Sequence, residues 1–377
     1  MIEATTSPLA GAWQPTHLKG MYYGPNSVEK YLLSTLPAET SRACIITGNS
    51  LATKTPLIKN VEKLLGSKHA GTFANIKQHS PIAQLDDIVA ELLKDTSIDT
   101  VISIGGGSPM DSSKGISFRY HEKSGKWLYH VTIPTTLSAA ECTMGAGLTT
   151  DTGLKTAIAS EHIAVNAIIY DAIFAKETPK DLFMSTGFRA LDHAMELMIH
   201  PTATEVPQHQ LALSAASSLF IYLPKYRANP TDTDVITQLQ IASFASLGFL
   251  GLNVHGPLGL SHTLGYALGS PYSIPHGVTS TLTLGHVVKL RADEPEHAAQ
   301  LARMLPFLGE GRSGDDRADA RKVGDRILGL VEELGIKKTL KDYNVGEDQV
   351  PIIVERASKL TEGPMFDKIA ELVKGLY

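Results

Sequence analysis

Cysteine is almost absent from this 377-residue chain. Only Cys44 and Cys142 occur, and neither belongs to a Cys-x-x-Cys pair. A zinc finger and a dithiol redox site are therefore unsupported, and no disulfide framework is implied, which fits a reducing compartment. Long apolar runs are missing too. No stretch reaches the ~20 residues that a membrane-spanning helix needs. The segment from Met1 to Lys19 carries Pro8 and Pro15 and has neither the basic start nor the apolar core of a secretory leader, so a cytoplasmic protein is expected. Basic residues are scattered and the net charge is −5, which gives no reason to expect nucleic acid or an anionic membrane as partner. There is no internal repeat and no low-complexity tract.

The length is ample for two domains, and a hydrophobic content of 43% with 19% charged residues is ordinary for a globular protein. Up to about residue 170 strand and helix signals alternate. Ala43–Thr47, Thr100–Ile104 and Tyr129–Ile133 read as buried strands, each ended by glycine or proline, and helical spacing appears over 56–65 and 82–93. Such alternation predicts a parallel sheet of the βαβ kind. Helical periodicity dominates afterwards, over roughly 181–200, 208–226, 232–252, 277–291, 295–306, 316–334, 347–361 and 364–376. The expectation is an α/β domain over 1–170 and an all-helical domain over 171–377.

One segment carries phosphate chemistry. Gly105, Gly106, Gly107 and Ser108 follow a strand and open a helix that continues through Asp111 to Lys114. Glycines let a backbone approach a pyrophosphate closely, and a helix N-terminus offers free N–H groups and partial positive charge. Three glycines alone fit a bare strand-to-helix turn equally well. The full ten-residue string favours phosphate. A second polar strand end, Pro134-Thr135-Thr136 through Glu141, offers two hydroxyls to a ribose or phosphate.

A second segment carries an anomaly. On a helix spanning Gly187 to Glu196, positions 189 and 193 share a face. A divalent metal there would want a carboxylate at 189 and an imidazole at 193. The residues are Arg189 and His193, with His262 and His276 downstream.

Taken together, the string from Gly105 to Lys114, the Pro134–Glu141 stretch, the Gly187–Glu196 helix, and His262 with Pro275-His276-Gly277 resemble the iron-containing alcohol dehydrogenase superfamily, which includes the dehydroquinate synthase-like folds. Within it the chain looks closest to the maleylacetate reductase branch, by the spacing of Pro134–Glu141 and by the Lys155-Thr156 pair. The resemblance implies a dinucleotide-binding N-terminal domain, a helical domain carrying metal-site positions, an active site in the cleft between them, and a homodimer. It places Gly48, Asn49, Gly105, Gly106, Gly107, Ser108, Asp111, Thr135, Thr136 and Lys155 at the cofactor. It places Arg189, His193, His262, Tyr266 and His276 at the reacting end. Where relatives often hold an aspartate that disfavours a 2′-phosphate, this chain has Gly48, so NADP(H) is preferred over NAD(H). The position of Arg189 is aspartate in metal-dependent members and asparagine in the maleylacetate reductase branch. Tyr266 stands where a further histidine is common.

Arginine does not lose its proton. A guanidinium ~4 Å from a dication would be repelled by roughly 8 kcal/mol at an effective dielectric of 20, more than one hydrogen bond returns. The favoured reading is a site without catalytic metal; if zinc or iron is present, His193, His262 and His276 are its ligands. Asp192, about 100° around the helix from His193, is expected to point elsewhere. Arg189 and the three imidazoles would then form an electropositive pocket suited to a carboxylate or enolate-like oxyanion, with Tyr266 or a histidine as proton donor. The expected activity is an NAD(P)H-dependent reductase acting on a carbonyl or activated double bond of a polar or anionic small molecule. The alternatives are a zinc- or iron-dependent alcohol dehydrogenase, and a non-redox lyase, isomerase or cyclase on the same scaffold.

Overall fold

The computed structural model describes residues 11–77, 80–150 and 155–377. The chain divides into two compact units. One is built on a sheet and comprises Pro15–Pro179 with Pro230–Ile241; the other is helical and is made chiefly of Lys180–Asn229 and Ala242–Tyr377.

The sheet contains β1 (Gly20–Tyr23), β2 (Arg42–Thr47), β3 (His69–Phe73), β4 (Ile98–Gly105), β5 (Tyr129–Pro134) and β8 (Ala167–Tyr170), in the order β1-β8-β5-β4-β2-β3. All neighbouring pairs run parallel. Parallel strands are covered on both faces, which is why the central ones are nearly continuous apolar runs. Ile45, Ile102, Ile104, Val131 and Ile133 pack with Val28, Leu32 and Val61 in one core. Cys44, Ile46 and Val101 pack with Leu85, Val89, Ile116 and Tyr120 in another. The alternation along β2 and β4 between these cores is the period of two that strand geometry imposes. The remaining strands, β6 (Gly145–Thr149) and β7 (Lys155–Ala159), form an antiparallel pair.

The strand order reverses direction at β2 and β4. From β2 the chain steps outward to β3, then returns to lay β4 on β2's other side. In open α/β sheets ligands bind outside the carboxyl ends of strands at such a switch point. Register pairs Thr47 with Ile104 and Gly105 with Pro134. Gly48, Gly105–Ser108 and Thr135 therefore leave the sheet side by side.

Past residue 180, helices form where the periodicity predicts them, and they belong to the helical unit except for the first part of Thr233–Leu247, which groups with the sheet unit. The central helix of the helical unit, Lys180–Leu197, is buried continuously from Phe183 to Leu197. A helix covered all round meets partners on every face, so its polar residues cannot be sorted into a functional face and a solvated one. The helix His276–Arg291 falls where periodicity predicts one, whereas Leu260–Gly269 lies outside the predicted helices. Its sequence has no polar face and contains Gly265 and Gly269, and interior glycine lowers helix propensity by ~1 kcal/mol. Packing explains Gly265: a Cβ there would stand 2.9 Å from Thr279 Oγ1.

Candidate active site

In the sheet unit, β4 ends at Gly105 with φ +140°, a conformation closed to most side chains. Gly106 precedes the helix Gly107–Ser124, and no side chain caps that helix's N-terminus. Its first N–H groups are thus unclaimed by a capping side chain, as an anion site requires. A Cβ on Gly106 would meet Thr136 Cγ2 at 3.0 Å, so the glycine turn and the Thr135–Thr136 segment lie in close contact. Thr135 N–H donates to Gly105 O at 2.9 Å, and Thr136 Oγ1 donates to Ser138 Oγ at 3.2 Å. Both threonines are buried. The Ser108 carbonyl accepts from Ser80 Oγ at 3.3 Å, and Asp111 Oδ2 accepts from Gly147 N–H at 3.4 Å. Gly48 is half-buried at the end of β2, and exposed Asn49 opens the next short helix. The side chain of Lys155 lies outside the described residues. The turn, the uncapped helix start and the flanking hydroxyls fit a dinucleotide's phosphates.

In the helical unit, Arg189, Asp192, His193 and Glu196 project from Lys180–Leu197. Ser261, His262 and Tyr266 come from Leu260–Gly269, and His276, Ser280 and Thr283 from His276–Arg291. Glu196 reaches across to the start of the His262 helix. Its Oε1 accepts from Ser261 N–H at 2.6 Å, and its Oε2 lies 2.5 Å from His262 Nδ1. Gly259 makes room for this carboxylate, since a Cβ there would sit 2.6 Å from Oε1. Asp192 Oδ2 accepts from Ser280 Oγ at 2.6 Å and from Ser261 Oγ at 3.0 Å, and Oδ1 stands 3.5 Å from His262 Nδ1. The Arg189 Nη1 is 3.5 Å from Asp192 Oδ2 and donates to Ser280 Oγ at 3.4 Å.

Two expectations are corrected here. Asp192 does not point elsewhere. It is three residues from Arg189, hence on the same side of a helix that has no solvent face. The pocket is also not simply electropositive, because two buried carboxylates, Asp192 and Glu196, face the two cationic side chains Arg189 and His262. Glu196 carried a readable signal, since it lies three residues beyond His193 on the same predicted helix.

Electrostatics sort the imidazoles. Burial, then the charges of His262 and Arg189, hold His193 well below the ordinary histidine range. Burial and Arg189 press His262 down as well, but Asp192 and Glu196 outweigh them and raise its proton affinity. Burial alone would raise Asp192; His262 and Arg189 more than offset it, and its carboxyl falls below the usual value. The two shifts run in opposite directions, His193 towards its neutral form and His262 towards its protonated one, with ring centroids 4.9 Å apart. His262 Nε2 and His193 Nδ1 are buried without a hydrogen-bond partner among the described residues. The other two candidates pair separately: the Tyr266 ring, half exposed, meets His276 edge-on at 5.5 Å.

The same atoms test a metal. Among the described residues, Asp192, Glu196 and His262 form a group of three whose ligand-capable atoms all lie within 4.8 Å of one another; His193, His262 and His276 form no such group. Two ligands of a tetrahedral ion with bonds of ~2.0–2.1 Å stand ~3.3 Å apart. At 2.5 Å, His262 Nδ1 and Glu196 Oε2 are hydrogen-bonded to each other and stand closer than two such ligands would. With a guanidinium 3.5 Å from Asp192 as well, the donor set as arranged does not fit a divalent ion.

Comparison with known families defines the class as oxidoreductase. The iron-containing alcohol dehydrogenase sequence model matches residues 19–172, and the model of the C-terminal part of the Fe-containing alcohol dehydrogenase family matches 183–369. The chain belongs to the iron-containing alcohol dehydrogenase family, whose members are NAD(P)-dependent oxidoreductases, usually with iron. Alcohol dehydrogenase 4 of Schizosaccharomyces pombe is 30% identical over 283 residues, covering 71% of this chain and 65% of that protein. The maleylacetate reductase of Sphingobium indicum is 27% identical over 279 residues, covering 73% and 72%. The crystal structure of maleylacetate reductase from Agrobacterium tumefaciens superposes with a TM-score of 0.80 at 22% identity, covering 98% of each chain. That of a 1,3-propanediol oxidoreductase gives 0.85 at 23%, covering 97% of this chain and 100% of the other. At these identities the structural likeness shows the fold.

Proposed function

We propose that this protein is an NAD(P)H-dependent reductase resembling maleylacetate reductase, acting without catalytic metal on a carbonyl or activated double bond of a polar or anionic substrate. The observation that carries the reading is the anchored guanidinium of Arg189. Its Nη1 is held by Asp192 and Ser280, and among the described residues its Nε and Nη2 make no hydrogen bond to protein. An arginine fixed at one end and open at the other suits a substrate carboxylate. Bound reduced nicotinamide would supply the hydride. Protonated His262, steadied at Nδ1 by Glu196, offers its unpartnered Nε2–H to the oxygen or enolate that gains charge. His193, kept neutral, adds no further positive charge beside it. His276 and Tyr266 line the same reacting end by family analogy.

Gly48 and Asn49 present no carboxylate against a 2′-phosphate, which supports NADP(H) over NAD(H). A cytoplasmic homodimer is the assembly that family analogy supports; no described helix is long and apolar enough to cross a membrane. The buried Asp192–Glu196–His262 group supports one rival, a zinc- or iron-dependent alcohol dehydrogenase, provided the Glu196–His262 contact opens. A non-redox lyase, isomerase or cyclase is the other.

Two measurements separate these. Protein purified without chelator is assayed for metal by mass spectrometry, and dinucleotide oxidation is followed across carbonyl and enoate acids. The expected outcome is substoichiometric metal with turnover of at least one anionic substrate. A stoichiometric transition metal defeats the metal-free mechanism. Failure to bind either dinucleotide, or binding without hydride transfer to any acceptor, defeats the reductase.

A further inference from the structure

Lys114 is the last residue of the glycine-rich string and the largest buried charge of the sheet unit outside the catalytic set. Its side chain is fully buried. A lysine seven residues after a phosphate turn invites the reading that it reaches back to the phosphates. Its hydrogen bonds contradict that. The ammonium donates to Ala140 O at 2.6 Å, Thr143 Oγ1 at 2.8 Å and Gly145 O at 3.0 Å. Three donors meet three acceptors, and an ammonium has no fourth. Nothing remains for a ligand.

The three acceptors share one stretch of chain, the segment that follows Thr135, Thr136 and Ser138. On the helix, Gly107, Asp111 and Lys114 recur at the spacing of one face. The upper end of that face meets the same stretch: Cβ positions on Gly106 and Gly107 would lie 3.0 Å from Thr136 Cγ2 and 3.7 Å from both Ser138 Oγ and Ala140 Cβ. Lower down, Asp111 Oδ2 accepts from Gly147 N–H. Lys114 therefore ties the helix that carries the glycine turn to the loop that carries the hydroxyls. Burial lowers the proton affinity of Lys114, and nearby Asp111 and Glu141 oppose that; Glu141 is buried with Oε1 2.5 Å from the Tyr170 hydroxyl. Burying an ammonium costs several kcal/mol that an apolar residue would not, so bulk stability is a poor account of it. What it adds is direction, three bonds to one loop.

We propose that Lys114 is a positioning residue for the dinucleotide. It sets the gap between the glycine turn and the Thr135–Ser138 loop and touches no phosphate itself. This rests on the cofactor reading given above.

The test compares K114M and T143V with wild type in the full chain. Dissociation constants for NADPH and NADH are read from nicotinamide fluorescence, kcat at saturating dinucleotide from steady-state rates, and folding from circular dichroism and melting. A displacement of about 1 Å in a binding element costs up to roughly a hundredfold. K114M is expected to weaken dinucleotide binding about tenfold or more, with kcat at saturation within about threefold of wild type; T143V shifts the same way by less. Partial recovery of affinity in K114A on adding ethylammonium supports the assignment. A purely structural lysine gives a lower melting temperature and a smaller active fraction but leaves the dissociation constant of the folded fraction unchanged, and that result overturns it. Should K114M and K114A not fold, unchanged affinity in T143V overturns it. Wild type that binds neither dinucleotide removes the reductase reading and this proposal with it; wild type that binds normally beside an unaltered K114M removes this proposal alone.

Discussion

Arg189 and Asp192 lie 3.5 Å apart on one side of the helix Lys180–Leu197, and both are buried. They are three residues apart, which brings side chains together on a helix. Glu196 lies 2.5 Å from His262, whose proton affinity it helps to raise. These ionisable side chains meet out of water. The helix that carries Arg189 thus also supplies its counter-ion. The guanidinium is stationed, because Asp192 and Ser280 fix where its charge sits.

R189M tests this. Methionine keeps much of the volume and removes the charge, leaving buried Asp192 with His262 as its remaining cationic partner. Breaking a buried ion pair from one side costs up to roughly 3–5 kcal/mol when no partner remains; with His262 and two hydroxyls still facing Asp192 the loss of melting temperature is expected to be smaller but measurable. If Arg189 also holds the substrate anion, kcat/KM for anionic substrates falls by about a hundredfold or more, and for neutral analogues far less. R189K keeps charge but not the planar fork and falls between them. Equal losses on charged and neutral substrates in steady-state assays would assign Arg189 to structure alone.

The glycines of the phosphate turn separate into two kinds. Gly105 has φ +140°, and a Cβ there would meet Pro109 Cγ at 3.0 Å. G105A is expected to destabilise the protein by roughly 1–2 kcal/mol through strain. Gly107 has helical geometry, and its nearest neighbours to a Cβ are 3.7 Å away. G107A should therefore melt at or above the wild-type temperature, yet bind dinucleotide about tenfold more weakly, because the methyl occupies the phosphate's approach to the helix start. Undiminished affinity in G107A, measured by fluorescence titration, would remove that turn from the cofactor site.

The buried strands were legible because both their faces are covered, so β2, β4 and β5 read as apolar runs closed by glycine or proline. β1, β3 and β8 were not singled out: they are four or five residues long, too short for periodicity to stand clear of a loop. The helix carrying His262 was hidden by its glycines, whose purpose is visible only in the packing against Thr279. Position 189 stood out as anomalous in the sequence alone. Asp192 was misplaced because a helical wheel assumes one functional face, and this helix has a partner on every side. Lys114 looked like part of a ligand motif; its three acceptors are 26 to 31 residues away in sequence, beyond any local pattern.

His130 gives the stability of the sheet unit a pH dependence. It lies on β5, buried, with Nε2 2.8 Å from Ser103 Oγ; that hydroxyl donates to Thr132 Oγ1, so Nε2 carries the imidazole proton. Burial, then the nearby Lys114 charge, push His130 down from 6.5 to about 3. Its folded value is depressed, so the unfolded chain protonates first as pH falls below 6.5. Stability is full above 6.5 and drains away towards 3. Between 6.5 and pH 5 the loss is about 2 kcal/mol from this residue. H130Q cannot titrate, so its melting temperature should fall less over that interval than that of wild type. Parallel declines for the two proteins would show that His130 titrates normally.

Glu196 is the residue on which the proton supply depends. Its two oxygens do different work: Oε1 accepts from the Ser261 N–H at the start of the His262 helix, and Oε2 accepts from His262 Nδ1–H. E196Q keeps the size and an oxygen for Ser261. It removes the negative charge and turns an amide N–H₂ towards Nδ1, which must then accept. His262 becomes neutral more readily, since one of the two carboxylates that raise its proton affinity is gone and Asp192 is left against burial and Arg189. The sign follows from its folded value being raised. Wild-type activity, needing protonated His262, persists above the ordinary histidine range of 6.5 and is lost only as pH rises through the raised value. In E196Q that upper limb of the kcat profile moves to lower pH, and kcat at neutral pH falls by about a hundredfold, the usual worth of a positioned general acid. KM for the dinucleotide should stay near wild type, because Glu196 belongs to the helical unit. A fall in kcat with the upper limb unmoved would leave Glu196 as a helix cap and place the proton on another group, with Tyr266 the next to test.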